Sequence, residues 1–191
     1  KGAKRKSVQS MKATGNKNIN SDKYWSDVYG SSEKREGYAS QGTHSTCADK
    51  GKQTARFERT LEEIKNGDIF LDIGCGVGVM TKLVAKTYPN CNVYGVDIST
   101  KAIEDNSKEN PQIHYSQGEV GKLNFQSNFF DVIFSGETVE HLDTPSDLFT
   151  EAYRFLKIGG KLIITTPLQD MIQSPEHTWF FTQGDIEGLY L

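Results

Sequence analysis

A glycine-rich segment after a short apolar run constrains this 191-residue chain more than any other feature. Residues 70–78 read FLDIGCGVG, so an apolar strand leads directly into a turn with glycine at every second position. Glycine has no Cβ, and such a turn can therefore reverse sharply and approach a ligand closely. Residues 79–88 are compatible with a helix. The segment predicts a strand, a ligand-binding turn and a helix in succession.

Strands and helices are predicted to alternate along the rest of the chain. We predict strands near residues 69–73, 92–97, 112–116, 130–135 and 160–166, and helices near 78–88, 100–109, 146–157 and 182–190. A short aromatic helix over 21–29, which either covers a ligand or packs on the body, and an amphipathic helix over 53–65 come first. This alternation predicts an α/β fold with right-handed crossovers, a parallel sheet and a ligand at the carboxyl ends of its strands.

The glycine turn differs from the dinucleotide-binding fingerprint G-x-G-x-x-G, because Val79 occupies the position of the third glycine. Glycine instead occupies positions 74, 76 and 78, and Asp72 lies two residues before the first of them. This D-x-G-x-G-x-G pattern resembles the first motif of class I S-adenosylmethionine (SAM)-dependent methyltransferases. The resemblance covers about residues 57–190 and implies a Rossmann-like, doubly wound parallel sheet that binds SAM.

The resemblance also implies which residues contact the cofactor. In the family, the glycine turn passes the methionine part of SAM, and an acid that ends the second strand binds both ribose hydroxyls, as Asp97 is placed to do. Glu119 stands where an aspartate commonly binds the adenine amino group, and the backbone amide of Val120 is the alternative partner of the ring. The implied contacts of SAM or its product S-adenosylhomocysteine (SAH) are Asp72, Gly74, Cys75, Gly76, Gly78, Asp97, Ile98, Glu119, Val120 and Ser135. A purely structural turn is the competing interpretation.

The segment after the fourth predicted strand carries two carboxylates and a histidine. Residues 136–145 read GETVEHLDTP, which brings Glu137, Glu140 and His141 within one helical turn. Carboxylate and imidazole groups suit a divalent ion such as Mg²⁺. The set Glu137, Glu140, His141 and His177 resembles the metal site of small-RNA 2′-O-methyltransferases, and a similar E-x-x-E-H occurs in ubiquinone-pathway O-methyltransferases. Class I topology would bring His177, after the fifth strand, to the same edge.

Metal-free interpretations of these residues stay open. His141 can act as a general base, since the unperturbed pKa of a histidine side chain lies near neutrality, with Glu137 and Glu140 as further catalytic candidates. Glu140 can also serve only to order the loop. Because a hydroxyl acceptor must lose a proton, a histidine beside carboxylates favours O-methylation over C-methylation. We therefore predict a SAM-dependent methyltransferase acting on a hydroxyl of a small metabolite or glycan precursor.

Charge is unevenly distributed and suggests alternative functions. The first 21 residues hold six Lys or Arg and no acid, whereas all 25 acidic residues and 16 of the 22 basic ones follow. We predict a disordered basic tail over 1–21, a helical cap over 22–66 and the SAM-binding core over 67–191. The basic tail and the possible metal ligands favour an RNA 2′-O-methyltransferase as an alternative. The acidic charge of the rest of the chain argues against nucleic-acid binding. A non-catalytic SAM-binding module is the other alternative.

Composition sets the remaining expectations. The chain has no run of eighteen apolar residues and no apolar N-terminal stretch, so we expect no membrane insertion and a cytoplasmic location. Three cysteines without C-x-x-C spacing predict reduced thiols rather than a zinc site or a disulfide framework. Residue 1 is not Met and the chain ends inside the last predicted helix. We therefore expect a fragment that lacks the antiparallel strands with which this family's fold normally ends.

Overall fold

The computed structural model describes residues 19–33, 36, 50–168 and 177–188. Most of the predicted basic tail, Cys47 and the last predicted helical residues, 189–190, lie outside these ranges. The helices are α1 (Asp22–Gly30), α2 (Lys50–Glu62), α3 (Val79–Thr87), α4 (Thr100–Glu109), α5 (Pro145–Phe155) and α6 (Gln183–Gly188), with a 3₁₀ turn at Val139–His141. The strands are β1 (Ile69–Ile73), β2 (Asn92–Asp97), β3 (His114–Gln117), β4 (Phe130–Gly136) and β5 (Leu156–Thr165). No helix in the described ranges is long and apolar enough to cross a membrane.

The five strands form one parallel sheet in the order β3-β2-β1-β4-β5. The chain moves outward from β1 to β3 and then crosses back to β4 on the other side of β1. In such doubly wound sheets, ligands bind outside the carboxyl ends of the strands, at the point where the direction of winding changes. The predicted Rossmann-like α/β fold is confirmed, and its ligand cleft should lie beside the end of β1.

The start of β5 differs from the prediction. The predicted helix 146–157 ends at Phe155, and the strand begins at Leu156 instead of 160. Leu156 pairs with Phe130, and the register shifts before Val132 pairs with Lys161. Pairing with β4 therefore draws residues 156–159 into the strand, an effect of tertiary structure that the local sequence does not show.

Apolar side chains cover both faces of the sheet. In β1, Leu71 and Ile73 belong to one apolar cluster, and Phe70 belongs to a second cluster on the opposite face. All three side chains are fully buried. Burial on both faces explains why the strands read as nearly continuous apolar runs, as is typical of parallel sheets between helices.

Helix α1 packs against the start of α4, next to the glycine turn. The Asp22 carboxylate accepts a hydrogen bond from the Thr100 amide at 2.7 Å, and the Ser26 and Ser99 hydroxyls lie 3.0 Å apart. On its apolar side, Trp25 and Tyr29 join a buried cluster with residues of the core. α1 is thus fixed to the body by both polar and apolar contacts, as its predicted role of packing on the body requires.

Candidate active site

A cavity opens at the carboxyl ends of β1, β2 and β4. It contains about 520 Å³ of atom-free space, part of it open to solvent, which is within the range of small-molecule sites. The glycine turn, the end of β2, the loops after β3 and β4, and α1 supply its walls. The lining residues are Asn20, Trp25, Tyr29, Ile73, Gly74, Val96, Asp97, Ile98, Gly118, Val120, Glu137, Thr138, His141 and Leu142.

The predicted site residues divide into two groups around this cavity. Those that line it are Gly74, Asp97, Ile98, Val120, Glu137 and His141. Those outside its lining are Asp72, Cys75, Gly76, Gly78, Glu119, Ser135, Glu140 and His177. The sequence thus predicts residues of the cavity wall as well as residues outside the wall.

The glycine turn depends on glycine for both conformation and space. Gly74, Gly76 and Gly78 have φ angles of 78°, 49° and 76°, in the left-handed region that residues other than glycine rarely adopt. A Cβ at Gly74 would also clash with the Thr138 side chain. The Gly74 amide donates to the Val96 carbonyl at 2.8 Å, which attaches the turn to the end of β2.

Asp97 ends β2 with a buried carboxylate at the cavity wall. Its Oδ2 accepts from the Gly76 amide at 2.8 Å, and its Oδ1 accepts from the Ser99 amide at 2.9 Å. Burial raises the pKa of this carboxyl, although the backbone donors partly oppose the rise. A carboxylate has about four acceptor positions, so Asp97 retains capacity to bind hydroxyl groups in the cavity.

Three residues predicted to contact SAM, Asp72, Cys75 and Ser135, are buried in the turn or beside it. Asp72 is buried, and its pKa is raised well above the usual range by burial first and by the nearby charge of Asp97 second. The Cys75 thiol is buried and free, and burial likewise raises its pKa. Ser135 Oγ donates to the Ile73 carbonyl at 2.9 Å. Direct contact of these side chains with SAM stays a prediction.

The loop after β3 separates the two candidates for the adenine ring. The Glu119 carboxylate accepts from Lys122 Nζ at 2.8 Å in an adjoining cavity, whereas Val120 lines both cavities. Glu151 holds the loop by accepting from the amides of Gly121 and Leu123, each at 2.8 Å. The geometry therefore favours the backbone of Val120 over the Glu119 side chain.

Residues 137–145, which follow β4, form what we call the rim, and its first residue, Glu137, has an unusual backbone. Its φ angle of 52° is rare for a residue other than glycine, and such strain is concentrated at functional sites. Its carboxylate lies 3.1 Å from Nη1 of Arg56 in α2. Burial raises the pKa of Glu137, and the Arg56 charge opposes this. The carboxylate therefore faces a cation of the protein.

The segment containing His177 is joined to the rim by its backbone. The amides of Thr178 and Trp179 both donate to the Glu140 carbonyl, at 2.8 and 3.0 Å, and Trp179 Nε1 donates to the Leu142 carbonyl at 2.6 Å. This connection brings the His177 ring to a centroid distance of 5.2 Å from His141. The predicted proximity of His177 to the rim is therefore present in the structure.

Glu140, His141 and His177 form a cluster of possible metal ligands. One ligand atom from each lies within 4.8 Å of the others, and Glu137 does not belong to the group. Glu140 Oε2 accepts from the Thr166 hydroxyl at 3.0 Å, whereas its buried Oε1 accepts no hydrogen bond from any described residue. Burial, followed by the charge of Glu137, raises the pKa of Glu140 to about 8. A buried oxygen without a donor suits a cation or a donor group of a ligand.

Comparison with known proteins identifies the family. Phosphoethanolamine N-methyltransferase 1 of Triticum aestivum is 32% identical over 131 residues, which cover 64% of this chain and 25% of that protein. A family model described as a methyltransferase domain matches residues 71–164, from β1 into β5. The chain belongs to the class I SAM-dependent methyltransferases. It spans about a quarter of the length of the first curated relatives that it matches.

Solved structures share the fold of this methyltransferase at low sequence identity. Phosphoethanolamine N-methyltransferase 2 of Haemonchus contortus, in complex with SAM, has a TM-score of 0.65 and 22% identity over 86% of this chain and 43% of that chain. The [4+2]-cyclase SpnF has a TM-score of 0.71 and 17% identity over 89% of this chain and 71% of that chain. One fold therefore occurs in proteins named for different reactions, and the reaction must be argued from the site.

The residues of this methyltransferase fit the family's cofactor. A ribose offers hydroxyl donors, and Asp97 presents a buried acceptor at the cavity wall. Gly74 lines the cavity, and Trp25 and Tyr29 supply apolar surface beside the turn. Asp97, Gly74, Ile98 and Val120 line the cavity, and their contact with SAM stays a prediction.

Sequence reasoning missed two residues of the methyltransferase site. Thr138, which fits against Gly74 and lines the cavity, lies inside the E-x-x-E-H segment and was available as a signal. Arg56, the partner of Glu137, belongs to no motif and lies 81 positions away along the chain. Only the contact between α2 and the end of β4 shows its role.

The raised pKa of Glu140 predicts how stability depends on pH. The folded state holds the proton up to a pKa of about 8, compared with an ordinary value of 4.5. The contribution of protonated Glu140 to the free energy of unfolding is therefore fully present below about pH 4.5 and is lost as pH rises through 8. Its size is on the order of a few kcal/mol. We expect Glu140→Gln to flatten the fall in unfolding free energy between pH 5 and 8, measured by urea denaturation.

The exposed Glu104, changed to Gln, provides the matched control and should leave the wild-type pH dependence intact. Asp72, Asp97 and Glu137 also have raised pKa values and contribute in the same sense to all three proteins. The difference in slope therefore reports Glu140 together with its coupling to Glu137. Equal slopes for the wild type and Glu140→Gln would contradict the assignment.

Proposed function

We propose that this methyltransferase transfers the methyl group of SAM to a hydroxyl group of a small acceptor. The observation that carries the proposal is that one cavity has both Asp97, suited to hold the cofactor, and His141, suited to take a proton. Residues 22–66 serve as a cap on this cavity, and residues 67–191 serve as the core that binds SAM.

The residues of the chain hold SAM, orient the acceptor and exclude water. SAM, when bound, supplies a methyl group on a positively charged sulfur. Asp97 binds the ribose hydroxyls, and Trp25 and Tyr29 of α1 form part of the cavity wall beside the turn. The acceptor oxygen forms the new bond to the methyl carbon as the carbon–sulfur bond breaks. The main tasks of the protein are therefore to align the acceptor oxygen with the methyl group and to exclude water. SAH and the methyl ether are the products.

His141 is the proposed general base. It lines the cavity, and its Nε2 lies 4.0 Å from Oε1 of Glu140. The proton of the acceptor hydroxyl moves to the imidazole, and at a pH above the raised pKa of Glu140 its carboxylate stabilises the resulting cation. Trp25 contacts the His141 ring edge to face, with a centroid distance of 5.1 Å, and helps fix its orientation.

A divalent cation held by Glu140, His141 and His177 is the alternative to His141 as a free base, because an imidazole that binds a metal cannot also take the proton. One carboxylate and two imidazoles favour Zn²⁺ or Mn²⁺ over Mg²⁺, which prefers oxygen ligands. The ion would lower the pKa of an acceptor hydroxyl. Glu137, proposed from the sequence as a fourth ligand, has its carboxylate beside Arg56.

The cation proposal predicts stoichiometric binding of Zn²⁺ or Mn²⁺ in calorimetric titration. We expect His177→Ala to weaken that binding at least about tenfold, since it removes one of three ligands. The exposed His114 in β3, changed to alanine, is the matched control and should bind the ion as the wild type does. No binding by folded wild type, or equal binding by both variants, would contradict a metal at this cluster.

An amine acceptor is the second candidate. Glu137 and Trp25 both line the cavity, and a carboxylate and an aromatic ring suit a cationic amine. A relative named as a phosphoethanolamine N-methyltransferase supports this candidate.

An assay for SAH formation with a panel of acceptors tests the proposal. The panel contains small hydroxyl compounds, sugars, phosphoethanolamine and an RNA oligonucleotide with free 2′-hydroxyls. We expect turnover with a small hydroxyl compound or sugar. Turnover only with phosphoethanolamine would favour the amine, and turnover only with RNA would favour the nucleic-acid alternative. SAH binding without turnover on any acceptor would favour a non-catalytic module.

A further inference from the structure

We infer that Asn106 in α4 is a positioning residue of the cofactor site, which holds the centre of the glycine turn in its binding conformation. The inference rests on the proposed role of Asp97 and the turn in binding SAM. Asn106 is completely buried, and its Nδ2 donates to the Gly76 carbonyl at 2.8 Å. It does not line the cavity, so its effect on a ligand must pass through the turn.

The peptide groups of Gly76 are held from two sides. Its amide donates to Oδ2 of Asp97 at 2.8 Å, and its carbonyl accepts from Asn106 at 2.8 Å. Gly76 has no side chain to restrict it and adopts a φ angle of 49°. The two partners therefore determine the orientation of this part of the turn, and one of them is the acid proposed to bind the ribose.

Further polar contacts lie on the same side of the turn as Asn106. Thr81 Oγ1 donates to the Gly78 carbonyl at 3.0 Å and lies 2.7 Å from the Tyr115 hydroxyl. A Cβ at Gly78 would lie 3.1 Å from Oδ1 of Asn106 and 2.8 Å from the Tyr115 oxygen. The turn thus rests on a layer of side chains, Asn106, Thr81 and Tyr115, none of which lines the cavity.

The cost of burying Asn106 argues for a task beyond packing. Its Oδ1 is buried and has no hydrogen-bond partner among the described residues. An unmet buried acceptor destabilises a fold, and an apolar side chain of similar size avoids that penalty. The hydrogen bond to Gly76 is what an apolar replacement lacks. Asn106 is therefore suited to fix the turn at a cost to the stability of α4.

Asn106→Leu tests the inference, because it keeps the approximate volume and removes the donor. We expect SAH affinity, measured by calorimetric titration at a temperature well below unfolding, to fall about tenfold. Ile103→Val, also at a buried position of α4, is the matched control. Its midpoint of thermal unfolding should fall while its SAH affinity stays within twofold of the wild type. A role of Asn106 in packing alone would give both variants the same unchanged affinity.

Asn106→Asp provides a second test within a single protein. A protonated carboxyl can donate to the Gly76 carbonyl, and a carboxylate cannot. We expect its SAH affinity, as a ratio to the wild type at each pH, to be near one at pH 5.5 and to fall as pH rises to 8.5. The ratio cancels the titration that Asp72, Asp97, Cys75 and Tyr115 have in common in both proteins, and what remains is the titration of the new carboxyl group and its coupling to them.

The outcomes separate this inference from the proposed function. An unchanged affinity of Asn106→Leu, or a ratio for Asn106→Asp that is the same at both pH values, would overturn the role of Asn106 while wild-type binding leaves the cofactor site standing. If Asn106→Leu does not fold, the pH series of Asn106→Asp decides alone. A folded wild type that binds no SAH would overturn both.

Discussion

Asp97→Ala is expected to weaken SAH binding at least about a hundredfold. The substitution removes the proposed acceptor of the ribose hydroxyls. It also leaves the buried amides of Gly76 and Ser99 without their carboxylate partner, which loosens the glycine turn. Each buried hydrogen bond that is lost costs about 1–3 kcal/mol, and each 1.4 kcal/mol is a factor of ten in affinity. The loss of two or more hydrogen bonds therefore gives the expected hundredfold weakening of SAH binding. Calorimetric titration with SAH measures the change without requiring an acceptor.

Asp131→Ala is the matched control for Asp97→Ala. Asp131 lies in β4 at the opposite end of the strand from the cavity, where it accepts from the Ile69 amide at 2.9 Å and pairs with Lys157. Its loss should lower the free energy of unfolding and leave SAH affinity unchanged. An affinity of Asp97→Ala within threefold of the wild type would show that the cofactor does not depend on this carboxylate.

His141→Ala is expected to lower kcat about a hundredfold to ten-thousandfold with a hydroxyl acceptor. This is the usual contribution of a positioned general base. SAH affinity should change only a few-fold, because Asp97 and the glycine turn are intact. Steady-state rates of SAH formation and calorimetric titration together separate the two effects.

Added imidazole tests whether the missing group is a base. Imidazole in solution should restore part of the rate of His141→Ala, and the restored rate should rise with pH as the added base loses its proton. His114→Ala, at an exposed position of β3, should have wild-type rates. A wild-type kcat in His141→Ala would exclude this residue from proton transfer.

The elements with strong local signals were predictable from the sequence. β1 and β2 occupy the predicted residues, because short apolar runs are interrupted there by glycine or by an acid. Helix α4 begins where Ser99 accepts from the Ala102 amide, as expected of a residue that caps a helix. The glycine turn and Asp97 were predictable for the same reason, since the turn directly follows β1 and Asp97 ends β2.

The parts that depend on distant contacts were not predictable. The pairing of Arg56 with Glu137 joins α2 to the end of β4, and no spacing rule connects residues so far apart in the chain. The left-handed backbone of Glu137 is a property of the folded rim, because its amide donates to the Thr165 carbonyl of β5 at 2.8 Å. Asn106 reads as an ordinary polar residue of a helix until its contact with Gly76 is seen.

A crystal structure of the wild type with SAH is the most direct test of the cofactor site. We predict that the nucleoside occupies the cavity between the glycine turn and α1, with the Asp97 carboxylate within hydrogen-bond distance of both ribose hydroxyls. The sulfur should face the end of the cavity that contains His141. SAH bound at another place, or in this cavity without contact to Asp97, would contradict the account.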